Sequence, residues 1–417
     1  MPENPIPSDL RCDHLFLLVG TNPLPDWVAA KLLLRDGGKL WLVHSQTTNE
    51  VAIRLANYST QNKLCQPQFV PVANPWDFDS VRTALEAVLD SQQFDSVGLN
   101  YTGGTKVMSV HAHRVFANRF PQKAILSYLE APYCLMHFEP VEPGYPRGYK
   151  IPVGTLDAVK FDFKELARLH EDFQRIHPKD KVKAWAIAEM VRDVHQTFNG
   201  QLAWRKDCDA YLRRRENRNK FKSPAELQTQ PIPCAHSFPR LAEALLRRPA
   251  TGTNTLLDVV NASDGQFRNV TELAEWLDGK WLEHLVLGLL LEHQETYGIH
   301  SIGSNIEPSL ESEEDSKRYK IQFEIDVAAM RGYQLHAISC YSGSTEATCK
   351  LKLFEVFTRA RQLGGDEARA ALVCNVDDAR KVEKQAGEVW DIKDRVKVFG
   401  RADLKNLGDR LKDWFVQ

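Results

Sequence analysis

The sequence predicts an α/β protein whose N-terminal part is a Rossmann-like parallel sheet. Short apolar runs alternate with amphipathic stretches along residues 13–140, and repeated strand–helix–strand units form a parallel sheet with helices on both faces. Polar, glycine-containing loops follow the first and fourth apolar runs, and such sheets bind ligands beyond the carboxyl ends of their strands. A helical connector and a second α/β unit are expected to follow.

The elements of this first sheet follow from apolar periodicity. The expected strands are residues 14–20, 39–45, 68–74, 95–102 and 123–130. The expected helices are residues 26–35, 48–61, 78–91 and 106–118. The helix at 78–91 has the clearest pattern, because Val81, Leu85, Val88 and Leu89 fall on one helical face.

Composition narrows the class of protein. A length of 417 residues suggests two or three domains. The net charge is −2, so any contact with nucleic acid must come from local basic patches. The 8 cysteines form no CxxC pair, and the apolar runs are too short for a membrane span. No basic leader precedes the first apolar run, and we therefore expect a cytoplasmic protein with reduced thiols and no membrane contact.

The two polar loops are candidates for binding a phosphate-containing ligand. Paired glycines allow close approach of backbone amides, and a helix N-terminus favours a phosphate group. The candidate residues are Gly20, Thr21, Asn22, Tyr101, Thr102, Gly103, Gly104, Thr105 and Lys106, with His44 and Ser45 on the same rim of the sheet. The order Gly-Gly-Thr-Lys differs from a P-loop, and no GxGxxG motif follows the first strand, which argues against a nicotinamide cofactor.

Residues 19–23 and 99–109 resemble the corresponding loops of CARF (CRISPR-associated Rossmann fold) sensors. The resemblance implies a homodimer that binds a cyclic oligoadenylate across its two-fold axis. The effectors most similar to this chain use cyclic tetra-adenylate. The residues to which the resemblance gives a ligand-binding role are Thr21, Asn22, Thr102, Gly103, Gly104, Thr105 and Lys106.

The middle of the chain has weaker patterns. Residues 161–198 predict one or two helices, and residues 228–253, with several prolines, predict an irregular connector. Residues 205–222 are strongly basic. They form either a solvated helix face or a contact with nucleic acid in which Trp204 and Tyr211 stack on bases.

The C-terminal third again predicts strands and helices. The expected order is a helix at 276–296, strands at 298–304, 319–330 and 334–340, a helix at 349–363, strands at 368–375 and 395–400, and a helix at 404–415. The order helix, three strands, helix, strand resembles the core of PD-(D/E)XK nucleases. We therefore expect three domains, at residues 1–151, 152–265 and 266–417.

Two acids alternate with apolar residues in Phe323-Glu324-Ile325-Asp326-Val327. On a strand, Glu324 and Asp326 would share one face, where they form either a site for a hard divalent cation or an acidic solvent face. The resemblance to the nucleases implies that Asp326 binds metal and that Glu283 is the acidic residue of the first core helix. It also predicts a Glu-x-Lys one strand later, where this chain has Ser339-Cys340-Tyr341.

Some restriction endonucleases with a serine at that position take the carboxylate from the following helix. Glu355 lies on this helix, three residues after Lys352, and Lys350 is a second candidate lysine. Glu283, Asp326 and Glu355 are then the expected ligands of Mn²⁺ or Mg²⁺, with Lys352 or Lys350 assisting. A surface ion pair is the other explanation for Lys352 and Glu355.

Residues 338–340, 349–355, 359–369 and 398–401 resemble the CRISPR ancillary nucleases, which join a CARF sensor to this nuclease fold. The resemblance implies a cyclic-oligoadenylate-activated nuclease of antiviral type III CRISPR defence that cuts single-stranded RNA, DNA or both. Three alternatives are an inactive sensor that binds nucleic acid or a partner protein, a ligand-responsive transcription regulator, and an enzyme that degrades the cyclic ligand.

Overall fold

In the computed structural model, the N-terminal part of the chain forms a seven-stranded sheet of order β3-β2-β1-β4-β5-β6-β7. The structure describes residues 6–121, 123–139, 149–170, 178–217, 219–314, 317–390, 392 and 395–416, without the side chains of residues 149 and 309–322. The strands are β1 (Cys12–Leu18), β2 (Leu34–His44), β3 (Gln68–Pro71), β4 (Val97–Asn100), β5 (Ile125–Glu130), β6 (Leu135–Phe138) and β7 (Tyr149–Pro152). The helices are α1 (Leu24–Leu33), α2 (Asn49–Gln61), α3 (Phe78–Ser91) and α4 (Lys106–Arg119).

Strands β1 to β5 pair in parallel, and β6 and β7 add an antiparallel edge that the sequence pattern did not predict. The strand order reverses between β1 and β4, which opens a crevice at their carboxyl ends. The loops after these two strands touch there. A Cβ at Gly103 would lie 2.1 Å from the carbonyl oxygen of Leu18, so only glycine fits at this position.

The middle of the chain is helical. Its helices are α5 (Phe163–His170), α6 (Trp185–His195), α7 (Phe198–Tyr211), α8 (Pro224–Gln228), α9 (Cys234–Ser237), α10 (Pro239–Leu246), α11 (Leu256–Ala262) and α12 (Val270–Glu275). The expectation of an irregular connector at residues 228–253 is wrong, because α9 and α10 lie there. Pro239 is tolerated in the first turn of α10, and Leu241 and Leu245 are buried in a shared core with the C-terminal sheet.

The C-terminal part contains a five-stranded sheet of order β14-β13-β12-β11-β8. After a π-helical turn at Trp276–Lys280, the elements are α13 (Trp281–Glu292), α14 (Gln294–Tyr297), β8 (Ser301–Ile306), β9 (Ser309–Glu314), β10 (Lys317–Gln322), β11 (Ile325–Arg331), β12 (Gln334–Tyr341), α15 (Glu346–Gly364), β13 (Arg369–Cys374), α16 (Ala379–Trp390), β14 (Val396–Phe399) and α17 (Leu407–Val416). The predicted strand at 319–330 is divided, because β10 pairs with β9 in a separate hairpin and only β11 joins the sheet.

This architecture confirms the α/β fold class, with a mostly parallel N-terminal sheet, helices between, and a second sheet. Buried Arg401 ties the helical part to that second sheet. Its guanidinium donates to Gln201 on α7 at 2.7 Å and to the carbonyl oxygen of Asn375 at 2.9 Å. The 8 cysteines are free thiols. Within the described ranges, no helix is long and apolar enough to cross a bilayer.

Candidate functional site

Asp326 lies on β11 and is held by the neighbouring strand. Strands β11 and β12 are antiparallel, with Val327 opposite Ile338. One carboxylate oxygen of Asp326 accepts hydrogen bonds from the Ser339 hydroxyl at 2.9 Å and from the backbone amide of Cys340 at 2.7 Å. Ser339 and Cys340, which stand at the first two positions of the expected Glu-x-Lys, therefore fix the orientation of Asp326.

Glu283 lies in the first turn of α13, close enough to Asp326 for their charges to interact. Burial, together with the charge of the Asp326 carboxylate, raises the pKa of Glu283 to about 8. Burial also raises the pKa of Asp326. Both shifts mean that the ionised carboxylates are destabilised where they stand, and a cation between them would relieve this. Their oxygen donors suit Mg²⁺ or Mn²⁺.

Glu324 does not share a strand face with Asp326, which corrects the expectation from the alternating pattern. Strand β11 begins at Ile325, so Glu324 precedes it and is exposed. Its carboxylate accepts a hydrogen bond from the Asn305 side-chain amide at 2.7 Å. Glu324 still lies near the site, since its charge raises the pKa of both Asp326 and Glu283.

Glu355 on α15 is held in a cluster of ion pairs. Its carboxylate contacts Lys352 at 3.3 Å and also the guanidinium of Arg359. Among the described residues, no three His, Cys, Asp or Glu side chains form a group that could hold a metal ion. The expected set of three carboxylates is thus not assembled here, because two basic side chains hold Glu355. Lys352 is the lysine whose charge lowers the pKa of Asp326.

A cleft of about 820 Å³ opens beside Glu283. Its wall carries basic and acidic side chains in nearly equal number. The lining includes Lys179, Lys181, Lys183, Arg268 and Lys280, with Asp180, Glu272 and Glu275 as further acids. Residues 178–183, which supply three of these lysines, were not singled out by the sequence pattern.

The basic segment at 205–222 is partly used for structural contacts. Trp204 is buried, with its indole N–H donated to the Leu277 carbonyl oxygen at 3.0 Å, so the expectation that it stacks on bases is wrong. Arg205 pairs with Asp278 at 3.1 Å, and Lys222 donates to the carbonyl oxygen of Tyr211 at 3.0 Å. Arg218 lies outside the described residues. The exposed basic residues of this segment are Lys206, Arg214, Arg215 and Lys220.

At the crevice of the N-terminal sheet, Thr21, Gly104 and Lys106 are exposed. The first backbone amides of α4 have no intrahelical acceptor and suit an anion. Thr105 caps this helix, accepting from the Met108 amide at 3.1 Å.

Several predicted ligand residues have structural partners. Thr105 donates its hydroxyl proton to the Pro75 carbonyl oxygen at 2.8 Å. Thr102 accepts from the Leu129 amide at 2.7 Å, and Tyr101 donates to Glu139 at 2.5 Å. His44 and Ser45 are buried, and both form hydrogen bonds to neighbouring residues of the chain.

Asn22 joins the first loop of this crevice to the C-terminal part. Its side-chain N–H donates to the Glu367 carboxylate at 2.7 Å, while its side-chain oxygen accepts from the Leu24 amide at 3.1 Å. Glu367 is fully buried just after the end of α15. A Cβ at Gly365 would lie 2.5 Å from the Asn22 side-chain nitrogen, so the two segments are in tight contact. Sequence patterns did not indicate Glu367, since the two partners are 345 residues apart.

Comparison with known proteins agrees with this geometry. Residues 18–132 match the family model described as Card1 CARF domain, and residues 271–417 match the model described as Card1-like, endonuclease domain. Together the two matches span more than half of the chain. Residues 18–132 therefore form a CARF domain of the Card1 type, and residues 271–417 form a Card1-like endonuclease domain. We refer below to its CARF part and its endonuclease part.

Two solved structures share the fold over almost the whole chain. Can2 from Sulfobacillus thermosulfidooxidans, solved in complex with cyclic tetra-adenylate (cA4), is 16% identical with a TM-score of 0.66, covering 98% of this chain and 99% of that one. Protein VC1899 from Vibrio cholerae is 14% identical with a TM-score of 0.63, covering 97% and 98%. No curated protein sequence matches the chain at a significant level.

The buried Glu367 predicts a pH dependence of stability. Burial raises its pKa from 4.5 to about 7. The unfolded chain thus releases this proton from pH 4.5 upward, whereas the folded protein keeps it to about pH 7. The free energy of unfolding should therefore fall by about 3 kcal/mol as pH rises through that window. Glu367→Gln removes this loss. The difference in the free energy of unfolding between this variant and the parent should therefore grow between about pH 5 and about pH 8, as measured by urea denaturation.

The control for this prediction is Glu388→Gln on the exposed side of α16. Its free energy of unfolding should differ from that of the parent by the same amount at both pH values. A Glu367→Gln variant whose gain does not change with pH would contradict the assignment of a buried, protonated carboxyl group.

Proposed function

We propose that this chain is a metal-dependent nuclease that a cyclic oligoadenylate switches on, within antiviral type III CRISPR defence. The observation that carries the nuclease part is the pair Glu283 and Asp326, two buried carboxyl groups whose charges interact, with Glu283 on the wall of a cleft that also carries five basic side chains. The substrate is a strand of RNA or DNA, whose phosphates suit this cleft.

Glu283 and Asp326 would hold the Mn²⁺ or Mg²⁺ ion. When bound, such an ion polarises a phosphate oxygen and makes water acidic enough to act as a nucleophile. Ser339 and the Cys340 amide keep the Asp326 carboxylate in one orientation. Glu355 becomes a further ligand only if its carboxylate leaves Lys352 and Arg359, and a bound metal and substrate phosphate would favour that exchange.

Lys352 is the basic residue that we assign to the reaction. Its ammonium group acts on Asp326 through its charge and lies beside Glu355. A cation at this position orients the attacking water and offsets the negative charge that develops on the phosphate. Lys350 has no such link to Asp326 in the contacts described above.

The activating ligand is cyclic tetra-adenylate, bound by the CARF parts of a homodimer. The loops after β1 and β4, with exposed Thr21, Gly104 and Lys106, provide backbone amides, a hydroxyl group and a positive charge for its phosphates. Can2, which shares the fold, was solved with this ligand. Activation requires that the ligand binds the cutting arrangement more tightly than the resting one.

An inactive sensor is the second candidate. Two observations favour it. The chain lacks the expected Glu-x-Lys and has Ser339 and Cys340 at its first two positions, and Glu355 is held by two basic side chains. This candidate predicts ligand binding without cleavage under any metal.

Asp326→Asn tests the nuclease site. Asparagine keeps an oxygen for the Ser339 and Cys340 donors, so the fold should persist, but it removes the charge that holds the metal. With labelled single-stranded RNA and DNA, Mn²⁺ and cyclic tetra-adenylate, cleavage should fall by more than about 100-fold. Leaving out the ligand or adding a chelator should abolish cleavage by the parent. Asp413→Asn, the same change at an exposed position of α17, is the control; an Asp326→Asn enzyme as fast as this control refutes the site.

Exchange of each lysine for methionine separates Lys352 from Lys350. Lys352→Met retains the apolar stem and removes the charge, and the cleavage rate should fall by about 10-fold or more because the phosphate charge is no longer offset. Lys350→Met should cut at close to the parent rate. Single-turnover cleavage with saturating ligand measures both, and a larger loss in Lys350→Met would show that the roles are reversed.

A further inference from the structure

Three lysines alternate along the extended segment that precedes α6. We call residues 178–183 the lysine strap. Lys179, Lys181 and Lys183 line the cleft that contains Glu283. The strap therefore presents three positive charges to the cleft, with Asp180 as one negative charge among them.

The strap is fixed in place by the endonuclease part. The backbone of Lys179 pairs with Ser304 on β8, the edge strand, through hydrogen bonds of 3.0 and 2.8 Å. At the other end, the amide of Lys183 donates to a ring nitrogen of His284 at 3.2 Å. Because His284 follows Glu283 on α13, the strap ends directly beside the carboxyl pair.

The charges of the cleft are unequally compensated. Lys183 pairs with Glu272, and Lys280 pairs with Glu275 at 2.9 Å. Lys179 and Lys181 are exposed, and within the described ranges no carboxylate forms an ion pair with either of them. Asp180 lies between them in sequence and is the one acid on the strap itself. The two lysines are therefore available for an anionic partner.

We propose that the lysine strap binds consecutive backbone phosphates of the nucleic-acid substrate and directs that strand to Glu283 and Asp326. This rests on the proposed nuclease function, since it names the substrate contact of the same site. A repeating row of cations fits a repeating row of phosphates, and such contacts give affinity without sequence preference. In the basic segment at 205–222, by contrast, Arg205 and Lys222 serve the fold.

The test is binding of short fluorescent single-stranded RNA and DNA probes of one sequence to the full-length protein, with EDTA present so that nothing is cut. The variant Lys179→Ala/Lys181→Ala removes the two unpaired charges. The control Lys405→Ala/Lys412→Ala removes two exposed lysines from the far end of the chain. Affinity is measured by anisotropy over a range of salt concentrations.

Each phosphate contact contributes about 0.7 to the slope of log affinity against log salt for a single strand. The strap variant should bind both probes more weakly and show a slope shallower by about 1.4, while the control matches the parent. A strap variant with the parent's affinity and slope overturns the proposal. Because EDTA prevents cleavage, this outcome is independent of whether the protein cuts: a strap effect in a protein that never cleaves would refute the nuclease and leave the strap standing.

Discussion

The hydrogen bond between Asn22 and Glu367 joins the CARF part of this molecule to its endonuclease part. It joins the loop after β1 to the end of α15 over a chain separation of 345 residues. Helix α15 has 19 residues and spans about 28 Å. Lys352 lies in the first half of this helix, where its charge acts on Asp326; Glu355 lies at its middle, and Glu367 follows its end. One rigid helix therefore connects the crevice of the CARF part to the carboxylates of the endonuclease part.

Two buried carboxyl groups lie at this contact. Glu367 is fully buried with a pKa raised to about 7 by its burial, and Asp26 close by has its pKa raised for the same reason and by the charge of Glu367. Buried carboxyl groups of this kind are costly to ionise, so small displacements change their energy strongly. A ligand that moves the Asn22 loop would act directly on the end of α15, because Gly365 leaves no space between them.

Sequence patterns predicted those helices and strands whose positions depend on local apolar periodicity. Helix α3 was predicted at its observed bounds, and both crevice loops follow the predicted strands. The errors arise where distant residues decide. Prolines at 231, 233 and 239 suggested a loop, but burial against the second sheet makes helices of that region. Glu355 forms ion pairs with Lys352 and Arg359 on its own helix face, and its role as a metal ligand stays a prediction. The strap lysines lie beside Glu283 only because their backbone pairs with β8.

The most direct test of this account compares Glu367→Ala with Glu367→Gln. Alanine removes the acceptor for Asn22, whereas glutamine keeps an oxygen there. The quantity to measure is the factor by which cyclic tetra-adenylate stimulates cleavage, together with its binding affinity in the absence of nucleic acid. The account predicts that Glu367→Ala still binds the ligand but loses about 5-fold or more of the stimulation, and that Glu367→Gln retains it. Full stimulation in the alanine variant would contradict the account.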